Sequence, residues 1–137
     1  MKQQANFYGF EMLPTYVLLG REQLLEATKV FEMFKSCEHR PHVLDDHLVN
    51  RAIKLSTSQN ETTWVPIEQC KRWRNQSPSK EQLADIIKVE NSFNDLHAIN
   101  EQLISLSNKL KKGTINRILE KSDFEVGLDF LLNNSRP

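Results

Sequence analysis

The sequence predicts an all-α fold, a bundle of about five helices organised around one long helix in the C-terminal half. Three observations carry this expectation. Apolar residues recur at steps of three and four through residues 77–112, helix-capping residues bracket that stretch, and the short alternating run Tyr8, Phe10 and Met12 has no partner strand elsewhere. Residues 1–137 read as a single domain with four parts: an extended arm over 1–20, short helices over 21–76, the long helix over 77–112 and two short helices over 113–134.

The arm ends with the compact apolar run 16–19 before Gly20, and its aromatics are expected to pack on the bundle. From residue 21 to 36, Leu24, Ala27, Thr28, Phe31 and Phe34 share a helical face, while Leu25, Val30 and Met33 make this helix apolar over much of its circumference. Pro41 disfavours helical geometry at Arg40 and closes it. A second helix follows over 45–56, with Leu44, Leu48, Ala52 and Leu55 on one face and Asp45 and Asp46 in its first turn, where the helix dipole favours acids. The stretch STSQNETT reads as a polar loop. Pro66 then opens a short helix that carries Ile67, Cys70 and Trp73 or Arg74 toward the core.

In the long helix, Leu83, Ile86, Val89, Phe93, Leu96, Ile99, Leu103, Leu106 and Leu110 fall on one stripe, widened by Ile87 and Ile104. Two consecutive steps of three, from Phe93 to Leu96 to Ile99, interrupt the heptad. Its start is marked twice, by Ser77 before Pro78 and by Ser79 with Gln82 as a capping box. Its end is marked by Lys109, Lys111 and Lys112, and by Gly113 in the position of a left-handed cap. At about 1.5 Å per residue the helix runs to roughly 50 Å, more than a compact domain of this size needs. Part of the stripe, Leu96, Ile99, Leu103, Leu106 and Leu110, is therefore expected to meet a second copy of the chain or a partner helix.

Beyond Gly113, Thr114 can cap INRILEK, and Ser122 with Glu125 can cap a last helix whose apolar face is Phe124, Leu128, Leu131 and Leu132. This pair looks like a helix-turn-helix only superficially: the turn is short, and the second helix carries Asp123, Glu125 and Asp129 where a recognition helix would carry cations.

Eighteen basic and eighteen acidic side chains cancel, so no global field draws the chain to nucleic acid or anionic lipid. No apolar run reaches the roughly 18 residues of a membrane span, and the N-terminal residues lack the layout of a signal peptide. A cytoplasmic protein with two free thiols, Cys37 and Cys70, and no membrane association is expected.

Two clusters bear on chemistry. Cys37, His39, His42 and His47 gather potential metal ligands, but the spacing C-x-H-x2-H-x4-H fits no zinc pattern, and neither a metal nor a cofactor is expected. Lys71, Arg72, Trp73 and Arg74 form the densest basic run, in which Trp73 could stack on a base between phosphate-binding cations; its alternative role is a core anchor on a solvated helix. A glycine-rich phosphate loop, a G-x-S-x-G elbow and HExxH are all missing from the sequence, and His97 beside Phe93 and Leu96 reads as a packing residue. The function the sequence supports first is a soluble helical interaction or regulatory module acting through its long amphipathic helix, by self-association or partner binding. A nucleic-acid-associated protein using residues 71–74 is the alternative, and a metal-dependent or other enzyme comes last.

Overall fold

The computed structural model describes residues 5–115 and 119. Four α-helices carry the fold: α1 (Leu13–Ser36), α2 (Asp46–Asn60), α3 (Trp64–Arg74) and α4 (Lys80–Leu110), with single 3₁₀ turns at Phe10–Met12, Pro41–Val43 and Lys111–Gly113. Because each 3₁₀ turn abutting a helix extends it and α2 runs on into α3, these form three helical stretches of 27, 29 and 34 residues rather than about five helices.

The element boundaries differ from expectation in two places, and the second of them lowers the count. The arm expected over residues 1–20 shrinks, since α1 begins at Leu13 with Pro14 in its first turn, where a missing N–H costs nothing. Gly20 lies inside α1 and is buried where it crosses α4, so close that a Cβ there would stand 2.9 Å from Ser92 Cβ and 3.0 Å from the Phe93 ring. The polar stretch 56–63 is mostly helical as well. Ser56 is buried, α2 continues to Asn60, and the hydroxyls of Thr62 and Thr63 return to the carbonyls of Gln59 and Asn60, satisfying the helix end within a three-residue turn. The two helices expected over 113–134 lie outside the described residues, apart from the first few positions.

Capping settles the start of α4. Ser79 Oγ accepts from the Gln82 N–H at 3.1 Å, and Gln82 Oε1 accepts from the Ser79 N–H at 2.9 Å. Ser77 is not the cap; it holds a left-handed φ of 52° in the link between α3 and α4. Gly113 is not left-handed either, and its lack of a side chain serves a close approach to Pro41, whose Cγ lies 2.7 Å from where a Cβ would be.

The helix α4 is the spine on which α1, α2 and α3 all lie. Gly20 beside Phe93, and Phe34 in one cluster with Leu103 and Leu110, set α1 parallel to α4. Contacts from Thr114 to Asp46, His97 to Thr63 and Glu90 to Arg74 set α2 and α3 antiparallel to it. The buried seam of α4 is Ile86, Val89, Phe93, Leu96, Asn100, Leu103, Ser107 and Leu110, an unbroken alternation of three and four. The interruption expected at Ile99 arises from following apolar residues alone: the seam passes instead through the polar Asn100, and Ile99 packs at its edge.

Two apolar cores line this seam. One gathers Leu13, Ala27, Cys70, Trp73, Ile86, Val89, Phe93 and Leu96, with Phe10 and Tyr16 against the Trp73 ring at centroid distances of 6.5 and 5.2 Å. The other gathers Phe34, Cys37, Leu44, Val49, Ala52, Leu103, Leu106 and Leu110. Between them lies a polar layer. Asn100 Nδ2 donates to Gln59 Oε1 at 2.7 Å and to Asn60 Oδ1 at 3.0 Å, and Asn60 Nδ2 donates to the His97 carbonyl at 3.1 Å.

Candidate partner-binding groove

The stripe expected to meet a partner is covered by the chain itself. Leu96, Leu103, Leu106 and Leu110 are buried in the two cores, and Ile99 is half-buried at the rim of the first. Burial of such side chains is worth about 1.5–3 kcal/mol each, so the seam holds α1, α2 and α3 to the spine.

Among the described residues, six of the exposed large apolar side chains, Leu18, Leu19, Leu25, Met33, Leu48 and Leu55, lie on the flanking helices, while α4 exposes Ile87. Side by side on α4, α1 and α2 stand apart over their middle turns, leaving an open groove of about 550 Å³. Its α1 wall carries Gln23, Glu26, Ala27 and Val30, its α2 wall Ala52, Leu55 and Gln59, and its floor Asn100 and Leu103 of α4. Gln59 Nε2 reaches across to Gln23 Oε1 at 3.4 Å, a long hydrogen bond that is the polar tie between the walls. On α1 the wall positions 23, 26 and 30 continue in heptad register to Leu19 and Met33, and on α2 the positions 52, 55 and 59 continue to Leu48 and Thr62. Leu19, Met33, Leu48 and Leu55 are 42, 44, 38 and 59% exposed. Of these four, Leu55 lines the slot together with Ala27, Val30 and Ala52, while Leu19, Met33 and Leu48 lie beyond its lining at the positions that continue each wall.

The basic run is dispersed by α3. Trp73 is fully buried, and its indole N–H donates to the Tyr8 carbonyl at 3.0 Å, so its ring is not available to stack on a base. The Arg74 guanidinium forks onto the Glu90 carboxylate at 2.9 and 2.6 Å, which raises its pKa further above the usual arginine value. Arg72 lies 3.9 Å from the centroid of the Phe7 ring and 3.7 Å from Glu68, while Lys71 is exposed. The core anchor is therefore the role Trp73 has, and the neighbouring arginines are spent within the chain.

Around Cys37 the structure separates the possible ligands. The Cys37 side chain is buried with Phe34 and Leu44, while His39, His42 and His47 are exposed. Among the described residues no group of three or more His, Cys, Asp or Glu side chains is placed to hold a metal ion.

His97 stands between Thr63 Oγ1, 2.9 Å from Nδ1, and Glu101 Oε1, 3.0 Å from Nε2. That order of hydroxyl, imidazole and carboxylate has the outline of a nucleophile relay, but Thr63 Oγ1 gives its proton to the Asn60 carbonyl at 3.2 Å. The trio ties the turn between α2 and α3 to the spine.

Two residues that organise these surfaces escape sequence reasoning. Gln69, fully buried, closes a ring with Tyr8, accepting from its N–H at 2.7 Å and donating to its carbonyl at 3.1 Å. Nothing local in the sequence links positions 61 residues apart. Asn100 could have been found, because it sits at a seam position three before Leu103 and four after Leu96. No protein-family model, curated protein or solved structure matches the chain.

Proposed function

We propose that the chain is a helical protein-interaction module that receives an amphipathic helix in the groove between α1 and α2. What carries the reading is the open slot between α1 and α2, lined by Ala27, Val30, Ala52 and the exposed Leu55, with Leu19, Met33 and Leu48 exposed at the heptad positions that continue the two walls and no chain of the described residues between them. A helix laid there would complete a four-stranded bundle around a floor already built by Leu103 and Asn100. Free, buried thiols at Cys37 and Cys70 suit a reducing, cytoplasmic setting, which is part of the proposal. Among the described residues no helix is long and apolar enough to cross a membrane.

Site-specific photo-crosslinking tests this. With p-benzoylphenylalanine in place of Leu55, adducts should map to a single helical segment, and their yield should fall at least tenfold when Val30 on the facing wall becomes glutamate. The same group in place of Lys88, an exposed position on α4, is the control. Adducts from Leu55 no more abundant or specific than those from Lys88 would end the groove reading.

A further inference from the structure

The outward face of α1 carries a patch that the groove does not use. Leu18 and Leu25, one heptad apart, are 44 and 55% exposed, and between them on the same stripe stand Arg21 and Glu22, both exposed. Among the described residues neither Arg21 nor Glu22 joins an ion pair. The order leucine, arginine, glutamate, leucine is complementary to itself under a two-fold rotation. With the axis at right angles to α1 and passing between Arg21 and Glu22, a second α1 runs antiparallel to the first. Leu18 then faces the second copy's Leu25, and Arg21 faces the second copy's Glu22. The i±4 ridges from Leu18 to Glu22 and from Arg21 to Leu25 interdigitate with their counterparts, each ridge bringing one apolar and one charged side chain. Other arrangements set like charges together. Centred on Leu25, an antiparallel pair places Arg21 against Lys29, and a parallel pair places Arg21 against Arg21 and Glu22 against Glu22. Glu11 and Glu32, one heptad further out, lie about 16 Å from the axis, where helices crossing at about 50° have separated, so their like charges do not meet.

We infer that α1 is a self-association face, through which two copies of the chain pack antiparallel by Leu18, Arg21, Glu22 and Leu25. The groove is lined from α1 by Gln23, Glu26, Ala27 and Val30, on a different side of the helix, so this contact stands or falls separately from the groove. A contact of about three helical turns lies at the small end of specific interfaces, below about 1,200 Å² in total, and the dimer is one whose population follows concentration.

Sedimentation equilibrium of the purified full chain over a hundredfold range of concentration should show a mass rising from that of one chain toward that of two and no further. Because the axis counts every substitution twice, Arg21→Glu and Glu22→Arg each turn two attractions into two repulsions, and each alone should weaken the dimer at least tenfold. The double variant, which exchanges the two charges, should return it to within about threefold of the unaltered chain. Leu25→Glu should leave a monomer. All of these positions are exposed, and the circular dichroism of each variant should match that of the unaltered chain. A chain that stays monomeric throughout overturns the inference, as does a dimer that tolerates both single reversals or fails to recover when the charges are exchanged. A dimer that survives Leu25→Glu but is lost in Leu55→Glu overturns it as well, and leaves the groove reading standing with a second copy as occupant.

Discussion

The indole N–H of Trp73 donates to the backbone carbonyl of Tyr8 at 3.0 Å, joining the last turn of α3 to the extended residues before α1. Gln69, one turn earlier, holds the N–H and the carbonyl of the same residue, so Tyr8 is gripped by two side chains as a strand neighbour would grip it. Replacing Gln69 with leucine keeps the volume and leaves the Tyr8 N–H without its acceptor. The expected cost is about 1–3 kcal/mol, a fall in Tm of roughly 3–10 °C by calorimetry, and Trp73→Phe should cost about 1–2 kcal/mol.

Gly20→Ala should destabilise even though alanine is the better helix former. The new Cβ would meet Ser92 Cβ and the Phe93 ring at 2.9 and 3.0 Å, neither of which is a flexible chain end, so α1 must lift from α4. The overpacking cost of about 1–3 kcal/mol outweighs the gain of about 1 kcal/mol in propensity, and urea denaturation should show a lower midpoint at an unchanged slope.

Ser107→Ala should do the opposite. Ser107 is fully buried on the seam, and among the described residues its Oγ is the buried side-chain oxygen that lacks a hydrogen-bond partner. Removing that hydroxyl lifts its desolvation penalty and improves helix propensity, for a gain of about 1 kcal/mol in unfolding free energy. Its neighbour on the seam gives the contrast, since Asn100→Leu deletes two made hydrogen bonds and should lower stability.

Stability should fall in alkali. Burial pushes the Cys70 thiol up to about 12, with Glu90 adding to the shift and Arg74 opposing it, and burial also raises the Tyr16 hydroxyl. Between pH 9 and about 12 the unfolded thiol gives up its proton while the folded one keeps it, so the unfolded state binds fewer protons and stability declines as pH rises. This contribution is fully present below pH 9. Tm followed from pH 8 to 11 should decrease, and less steeply in Cys70→Ala than in the unaltered chain. At pH 8 neither cysteine should react rapidly with a disulfide reagent, and both should react in denaturant.

How much of this could be read from residues alone varies with the physics involved. Periodicity and capping located α4 well, because a stripe such as Ile86, Val89, Phe93 and Leu96 with Ser79 and Gln82 at its head depends only on neighbours along the chain. Following apolarity alone misplaced the register at Asn100, where hydrogen bonds to Gln59 and Asn60 from a distant helix make a polar seam residue tolerable. The same blindness hid the helicity of Ser56–Asn60, stabilised by burial of Ser56 and by back-bonding of Thr62 and Thr63. The candidate groove was legible least of all. Leu55 and Val30 were visible as part of an apolar surplus on α2 and α1, but which residues of the two helices face one another depends on how both straddle α4.

The hydrophilic belt at Asn100 carries a consequence for how the molecule breathes. It parts the Trp73 and Phe93 half from the Phe34 and Leu110 half, and each half owns a complete set of apolar partners drawn from different stretches of chain. Opening need not be all-or-none: either half can loosen while the other keeps its shape, with the amide ladder from Gln23 through Gln59 and Asn100 to Asn60 as the line of parting. Amide hydrogens on α4 should accordingly exchange as two populations, one on each side of residue 100, rather than as a single rod.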